Sequence, residues 1–123
     1  MIVADSGVTS QKWFDDIINE ISQRVEALSI FSNLSPNPKD FEATEGAQEY
    51  IKNKCDLIVA VGGGSSIDCA KGISILSSNG GKFSDYYGVD KVREPGPPLI
   101  CIPTTAGSSA DVSQFAIILD TAQ

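Results

Sequence analysis

Apolar residues follow two different patterns along this chain, one with helical spacing and one continuous. Between Ser10 and Leu28 they recur every three or four positions, with acidic and amide residues between them, and this spacing predicts an amphipathic helix. The runs 57–61 and 99–102 are apolar without alternation, which is typical of strands covered on both faces in a parallel sheet. Helices and buried strands therefore alternate.

The remaining segments complete an open, mainly parallel α/β sheet with helices on both faces. Short strands are predicted over 1–4 and 29–33, and Pro36-Asn37-Pro38 precedes a predicted helix over 39–54. A further helix follows Gly64 and ends at Asn79-Gly80-Gly81, and a last strand is predicted over 115–119. This order predicts a single α/β domain over residues 1–123, with ligands at the carboxyl ends of the strands.

The same spacing predicts which side chains form the core. We expect the aromatic residues of the helices and of the second strand to be buried, and Tyr86 and Tyr87 to pack within a long loop. The expected core members are Trp13, Phe14, Phe31, Phe41, Ala43, Ala47, Tyr50, Ile51, Ile67, Ala70, Ile73 and Leu76.

Composition and charge narrow the possible partners. The 123 residues are 41% hydrophobic and 20% charged, with a formal net charge of −7, so nucleic acid and anionic membrane surfaces are not expected partners. No apolar stretch approaches the roughly 20 residues that span a bilayer, and the first residues lack the pattern of a secretion signal. We expect a cytoplasmic protein.

Cysteine and histidine usage limits the chemistry. Cys55, Cys69 and Cys101 lie far apart beside apolar segments, so we expect buried free thiols rather than disulfides or a zinc site. The chain has no histidine, which removes serine–histidine and cysteine–histidine nucleophile pairs and nearly every common catalytic zinc or iron site.

The segment 56–71 carries the clearest functional signal. An apolar strand leads into Gly62-Gly63-Gly64 and then into a helix that opens on Ser65 and Ser66. Glycines allow the main chain to approach an anion closely, and the first turn of a helix offers N–H donors aligned with its dipole. A tight strand-to-helix turn is the simpler explanation, but three consecutive glycines exceed what a turn needs, so we predict phosphate binding. The segment is not a Walker A loop, because Gly72 follows Lys71.

Two aspartates each have a structural and a functional interpretation. Asp5 follows the first strand, where it could bind ribose hydroxyls, but it precedes the glycines instead of following them, and its spacing favours capping of a turn. Asp68 lies near the start of the glycine-turn helix, where it could cap the helix, stabilise its dipole or contact a ligand.

A second loop rich in hydroxyl groups follows the strand over 99–102. Its side chains could satisfy their own loop backbone or form the adenine and ribose side of a nucleotide site, and spacing does not decide between the two. These residues are Thr104, Thr105, Ser108 and Ser109.

With both loops considered together, the chain resembles the nucleotide-binding domain of the iron-containing (group III) alcohol dehydrogenase family, which has a Rossmann-like sheet. The resemblance covers nearly the whole chain. It is carried by Asp5-Ser6-Gly7, Pro36-Asn37-Pro38, the run Gly62-Gly63-Gly64-Ser65-Ser66-Ile67-Asp68-Cys69-Ala70-Lys71, and Ile102-Pro103-Thr104-Thr105-Ala106-Gly107.

The resemblance implies a set of cofactor contacts. Gly63, Gly64 and Ser65 would hold the pyrophosphate of NAD, and Asp68 would lie near the nicotinamide. Asp5 would bind the ribose and favour NAD over NADP. Thr104, Thr105 and Ser108 would line the adenine and ribose side.

The chain also departs from the family pattern. Where the family usually reads Thr-Ala-Gly-Thr-Gly-Ser-Glu, this chain has Thr105-Ala106-Gly107-Ser108-Ser109-Ala110-Asp111. Family members also have a C-terminal helical domain whose aspartate and three histidines bind a divalent metal, and we find no counterpart of those ligands here.

The expected function is therefore that of a domain. We expect an NAD-binding fragment of an iron-type alcohol dehydrogenase whose parent oxidises small alcohols, the fragment itself being inactive. The alternative is a non-catalytic, alcohol dehydrogenase-like regulatory or ligand-sensing protein. Apolar surface left without its covering domain predicts a homo-oligomer.

Overall fold

A computed structural model describes residues 1–35, 39–81 and 94–104 of the chain. Its strands are β1 (Ile2–Val3), β2 (Ile30–Phe31), β3 (Ile58–Gly62) and β4 (Leu99–Pro103). Its helices are α1 (Ser6–Thr9), α2 (Lys12–Ser22), α3 (Asp40–Lys52) and α4 (Gly64–Asn79). The predicted segments at 36–38, 86–87 and 115–119 lie outside the described residues.

The four described strands form one parallel sheet in the order β2-β1-β3-β4. Ile2 pairs with both Ile30 and Val59, and β3 pairs with β4 along its length, from Ile58–Leu99 to Gly62–Pro103. Every residue of β3 is buried, which explains its continuous apolar sequence. The predicted open parallel α/β sheet is confirmed, with β3 in its interior.

Helices cover both faces of the sheet. On one face α3 and α4 pack over Val3, Phe31, Ile58 and Ala60, and on the other α1 and α2 pack over Ile2, Ala4, Val59 and Val61. As predicted, α4 buries Ile67, Ala70, Ile73 and Leu76 and is followed by Gly80 at φ 71°. No helix in the described part of the chain is long and apolar enough to cross a membrane.

The predicted helix over 10–28 is wrong in its extent. Asp5 caps the short helix α1, and α2 runs only from Lys12 to Ser22. Beyond it the N–H of Arg24 donates to the carbonyl of Ile21, a three-residue turn that ends the helix, and Val25 is exposed. Helical spacing alone does not reveal where tertiary contacts end a helix.

Three predicted core residues are also exposed. Phe14, Phe31, Ala43, Ala47 and Tyr50 are buried as expected, but Trp13 is 39%, Phe41 46% and Ile51 60% exposed. Trp13 packs edge-on against Phe14 at 6.5 Å, and the ammonium of Lys39 lies 5.9 Å from the centre of the Phe41 ring. Each of the two exposed aromatics contacts a neighbouring side chain.

Candidate nucleotide-binding site

The glycine turn lies at the carboxyl end of the interior strand β3, where open parallel sheets bind their ligands. Gly62 is the last residue of β3, Gly63 caps α4 and Gly64 is the first residue of that helix. Gly62 has a φ of 144°, and a Cβ placed on it would lie 2.6 Å from Ser66 Oγ. Only glycine fits this position, because both the backbone conformation and the space below it exclude a side chain.

The start of α4 presents main-chain donors toward this edge. The N–H groups of a first helical turn have no acceptor within their own helix, and the dipole of a 16-residue helix favours an anion there. Gly63 has no side chain that could accept from these groups. The turn can thus bind an anion through uncharged donors.

The start of the second loop is hydrogen-bonded to the glycine turn. The N–H of Thr104 donates to the carbonyl of Gly62 at 2.9 Å, directly after β4. This bond extends the β3–β4 pairing by one residue and places the two loops side by side at one edge of the sheet. Thr105 and Ser108, the other two predicted residues of this loop, lie outside the described residues.

Asp5 lies at the same edge, at the end of β1, next to β3. Its Oδ1 accepts a hydrogen bond from the N–H of Val8 at 2.9 Å and caps α1. The capping role favoured by its spacing is therefore confirmed. A carboxylate has two oxygens and about four acceptor positions, so capping by one oxygen is compatible with a further hydrogen bond.

Asp68 does not cap α4, because Gly63 is the N-cap and the first turn holds no acidic residue. Its side chain is partly buried. Its carboxylate is one of the charges that raise the pKa of the neighbouring Cys69 thiol, after burial, the largest cause, and Glu42; together they raise that pKa to about 12. Cys69 is therefore a neutral, inert thiol at ordinary pH.

All three cysteines are free, as predicted, but only Cys69 is fully buried, while Cys55 and Cys101 are half-buried. The described residues contain no group of three or more metal-binding side chains, and the whole chain lacks histidine. These residues do not fit the catalytic iron of the resembled family, so we derive no step through a metal.

Sequence reasoning missed two features of this site. One is the bond between Thr104 and Gly62, which depends on the β3–β4 register and has no local signal. The other is Ser66, whose hydroxyl is fully buried beneath the turn and has no hydrogen-bond partner among the described residues. A serine within the glycine motif was visible in the sequence, but its burial was not.

A cavity of about 530 Å³ lies at the opposite edge of the sheet. Leu28, Ser29 and Leu57 line it, just before β2 and β3 begin, together with Asn53 and Lys54 after α3. It faces the amino ends of the strands and is separate from the glycine turn.

Parallel strands, a glycine turn and a long helix that begins at the turn define a nucleotide-binding α/β domain. The chain belongs to the iron-containing alcohol dehydrogenase family, whose family model matches residues 1–123. The resemblance found in the sequence is thereby confirmed.

Individual relatives agree with this assignment. Alcohol dehydrogenase 4 of Schizosaccharomyces pombe is 39% identical over 98% of this chain and 28% of its own length. The NAD-dependent methanol dehydrogenase of Bacillus methanolicus is 35% identical over 100% of this chain and 32% of its own length. The structure of sulfoacetaldehyde reductase from Bifidobacterium kashiwanohense, a complex with NAD+, matches with a TM-score of 0.82 and 29% identity over 91% of this chain and 30% of that chain. The chain thus spans about a third of the length of these relatives.

Proposed function

We propose that this chain is the NAD-binding part of an iron-type alcohol dehydrogenase and holds the pyrophosphate of NAD at Gly63, Gly64 and Ser65. The observation that carries the proposal is the start of α4 at the glycine turn, at the carboxyl end of an interior strand. Two relatives support the choice of dinucleotide, one by its name and one by its bound NAD+.

The other site residues are assigned from the family pattern, and the positions of Asp5 and Thr104 at this edge of the sheet support the assignment. We assign the adenine and ribose side to Thr104, Thr105 and Ser108, since the first of these is hydrogen-bonded to Gly62. We assign a ribose hydroxyl contact to Asp5, whose negative charge disfavours the 2′-phosphate of NADP. Asp68 is assigned to the nicotinamide side.

The proposed reaction of the whole protein is hydride transfer between a small alcohol and NAD, giving an aldehyde or ketone. NAD supplies the hydride chemistry when it is bound. The residues of this chain bind and orient the dinucleotide through main-chain donors and hydroxyl groups. We expect no turnover by the 123-residue chain alone, because it has no histidine and its described residues offer no metal site.

Binding is tested by calorimetric titration of the chain with NAD, NADP, ADP and adenosine. We expect NAD and ADP to bind, NADP to bind more weakly, and adenosine to bind least, because it lacks the pyrophosphate. Gly64→Asp should abolish binding of NAD and ADP, since it places a carboxylate at the anion site while an acidic residue in the first turn favours the helix. Gln48→Glu adds the same charge on the exposed face of α3 and is the matched control.

Asp5→Asn tests the ribose contact separately. Asparagine caps helices as well as aspartate does, so α1 is retained while the charge is removed. We expect the preference for NAD over NADP to fall. An unchanged preference would remove Asp5 from the proposed site and leave the glycine turn in place.

A non-catalytic ligand sensor is the second candidate for the whole protein. Assays of NAD reduction with simple alcohols and added iron or zinc separate the two for the whole protein. Turnover supports the dehydrogenase, whereas dinucleotide binding without turnover supports the sensor.

We also propose a cytoplasmic protein that self-associates. Three free cysteines support the reducing compartment. The exposed isoleucines Ile30, Ile51 and Ile100 support self-association. Light scattering over a concentration series tests the association, and a constant monomer mass would refute it.

A further inference from the structure

Ser66 places a buried and unpaired hydroxyl directly below the glycine turn. The residue has no exposed surface, and its Oγ has no hydrogen-bond partner in the described chain. A Cβ on Gly62 would lie 2.6 Å from that oxygen and 3.5 Å from Val8 Cγ2. The hydroxyl therefore occupies the space that the missing side chain of Gly62 leaves open.

A buried hydroxyl without a partner is costly, and native structures rarely keep one without a reason. Alanine has a higher helix propensity and would remove the cost. The position is inside α4, where a serine hydroxyl can reach the carbonyl of the residue three or four positions earlier. For Ser66 those residues are Gly63 and Gly62, two of the three glycines of the turn.

Both carbonyls have acceptor capacity left. The Gly62 oxygen accepts from the N–H of Thr104 at 2.9 Å, and the Gly63 oxygen accepts from the N–H of Ile67 at 3.2 Å. A carbonyl oxygen has two lone pairs. A small shift of the turn would therefore give the hydroxyl an acceptor without breaking either bond.

We propose that Ser66 is a positioning residue for the dinucleotide: its hydroxyl, unpaired in this structure, donates to the carbonyl of Gly62 or Gly63 when the turn closes on a pyrophosphate. This inference rests on the proposed dinucleotide site. Ligand binding and hydrogen bonding by Ser66 then depend on each other. The free energy that the unpaired hydroxyl costs in the unliganded chain is recovered when the complex forms.

The test compares Ser66→Ala with the unsubstituted chain in two measurements, thermal unfolding without ligand and titration with ADP and adenosine. We expect the variant to unfold about 2–5 °C higher, because the unpaired hydroxyl is gone. We expect it to bind ADP roughly three- to tenfold more weakly, because it loses the hydrogen bond made in the complex. Its affinity for adenosine, which has no pyrophosphate, should not change.

Tyr50→Phe is the matched control, because Tyr50 carries the other buried unpaired hydroxyl among the described residues and lies in α3. It should raise the Tm and leave ADP affinity unchanged. Equal affinity of Ser66→Ala and the unsubstituted chain for ADP would overturn the inference. An equal loss of affinity for ADP and adenosine would also overturn it, and so would a Ser66→Ala variant that unfolds at a lower temperature than the unsubstituted chain. If the unsubstituted chain binds neither NAD nor ADP, the proposed function fails and this inference with it.

Discussion

Gly46 of α3 lies directly against Ile73 of α4, so that a Cβ on this glycine would come within 2.6 Å of Ile73 Cγ1 and 3.4 Å of the Phe31 ring. Both neighbours are buried in the core of the α3–α4 face. The absence of a side chain at Gly46 therefore sets how closely the two helices approach. Since α4 begins at the glycine turn, the packing of α3 also holds the candidate site in place.

Gly46→Ala should destabilise the domain although alanine is the better helix former. The added methyl group cannot be accommodated without moving Ile73, and overpacking of this kind costs about 1–3 kcal/mol. Urea unfolding followed by circular dichroism measures the change. Gln48→Ala, at an exposed position of the same helix, should stay within about 0.5 kcal/mol of the unsubstituted chain.

A second substitution shows whether the clash is the cause. Ile73→Val removes the methyl group nearest to Gly46, so the double variant Gly46→Ala/Ile73→Val should be more stable than the sum of the two single changes predicts. Strict additivity would show that the loss at Gly46 arises elsewhere.

Glu42 is a buried carboxylate that connects the start of α3 to the preceding segment. Its oxygens accept from the N–H of Lys39 at 2.9 Å and from the N–H and hydroxyl of Ser35 at 3.0 and 3.2 Å. We expect Glu42→Ala to lower the free energy of unfolding by about 2–4 kcal/mol, since it leaves buried donors without an acceptor. Glu45→Ala is the control, because Glu45 is exposed and its carboxylate accepts a hydrogen bond from the side-chain amide of Asn33 at the surface. Equal losses would mean that the hydrogen bonds accepted by Glu42 contribute little to stability.

The sequence predicted the central part of the fold because its signals are local there. The continuous apolar run 57–61 became β3, and Asn79-Gly80-Gly81 marked the end of α4, where the chain needs a positive φ. The glycine turn was found for the same reason. Each of these features depends on neighbours in sequence.

The errors arose where contacts distant in sequence decide the outcome. Ile51 has the right helical spacing for a core residue but is 60% exposed. Helical spacing shows that a helix has an apolar face, but it does not show how far the element packed against that face extends. The same holds for Trp13. The pairing of Thr104 with Gly62 and the burial of Ser66 depend on the strand register, which no single segment encodes.

Gly80 provides a test of backbone conformation without packing. It follows α4 at φ 71° and ψ −166°, a region open essentially to glycine alone, and a Cβ there would meet no atom within 4 Å. Gly80→Ala should therefore cost about 1–3 kcal/mol through conformation only. Gly80→Asn should cost a similar amount, because the tolerance of asparagine for left-handed backbone applies at ψ near +45°. Equilibrium unfolding of both variants measures this, and a neutral Gly80→Ala would mean that the helix end adopts another conformation in solution.

Cys69 should make the domain sensitive to alkali. Burial, assisted by Glu42 and Asp68, raises the pKa of its thiol from an ordinary value of 9.0 to about 12. Between these two values the unfolded chain has lost the proton and the folded chain has kept it, so the folded state binds more protons and stability falls as pH rises. The contribution of the protonated Cys69 thiol to the free energy of unfolding is fully present below pH 9 and is lost progressively toward pH 12.

Cys69→Ala should reduce this loss, so that its free energy of unfolding declines less steeply with pH above pH 9 than that of the unsubstituted chain. Some alkaline loss should remain, because burial also raises the pKa of Tyr50. Urea unfolding at pH 8, 9 and 10 gives the slopes, and the same decline in both proteins would show that Cys69 does not govern the alkaline response.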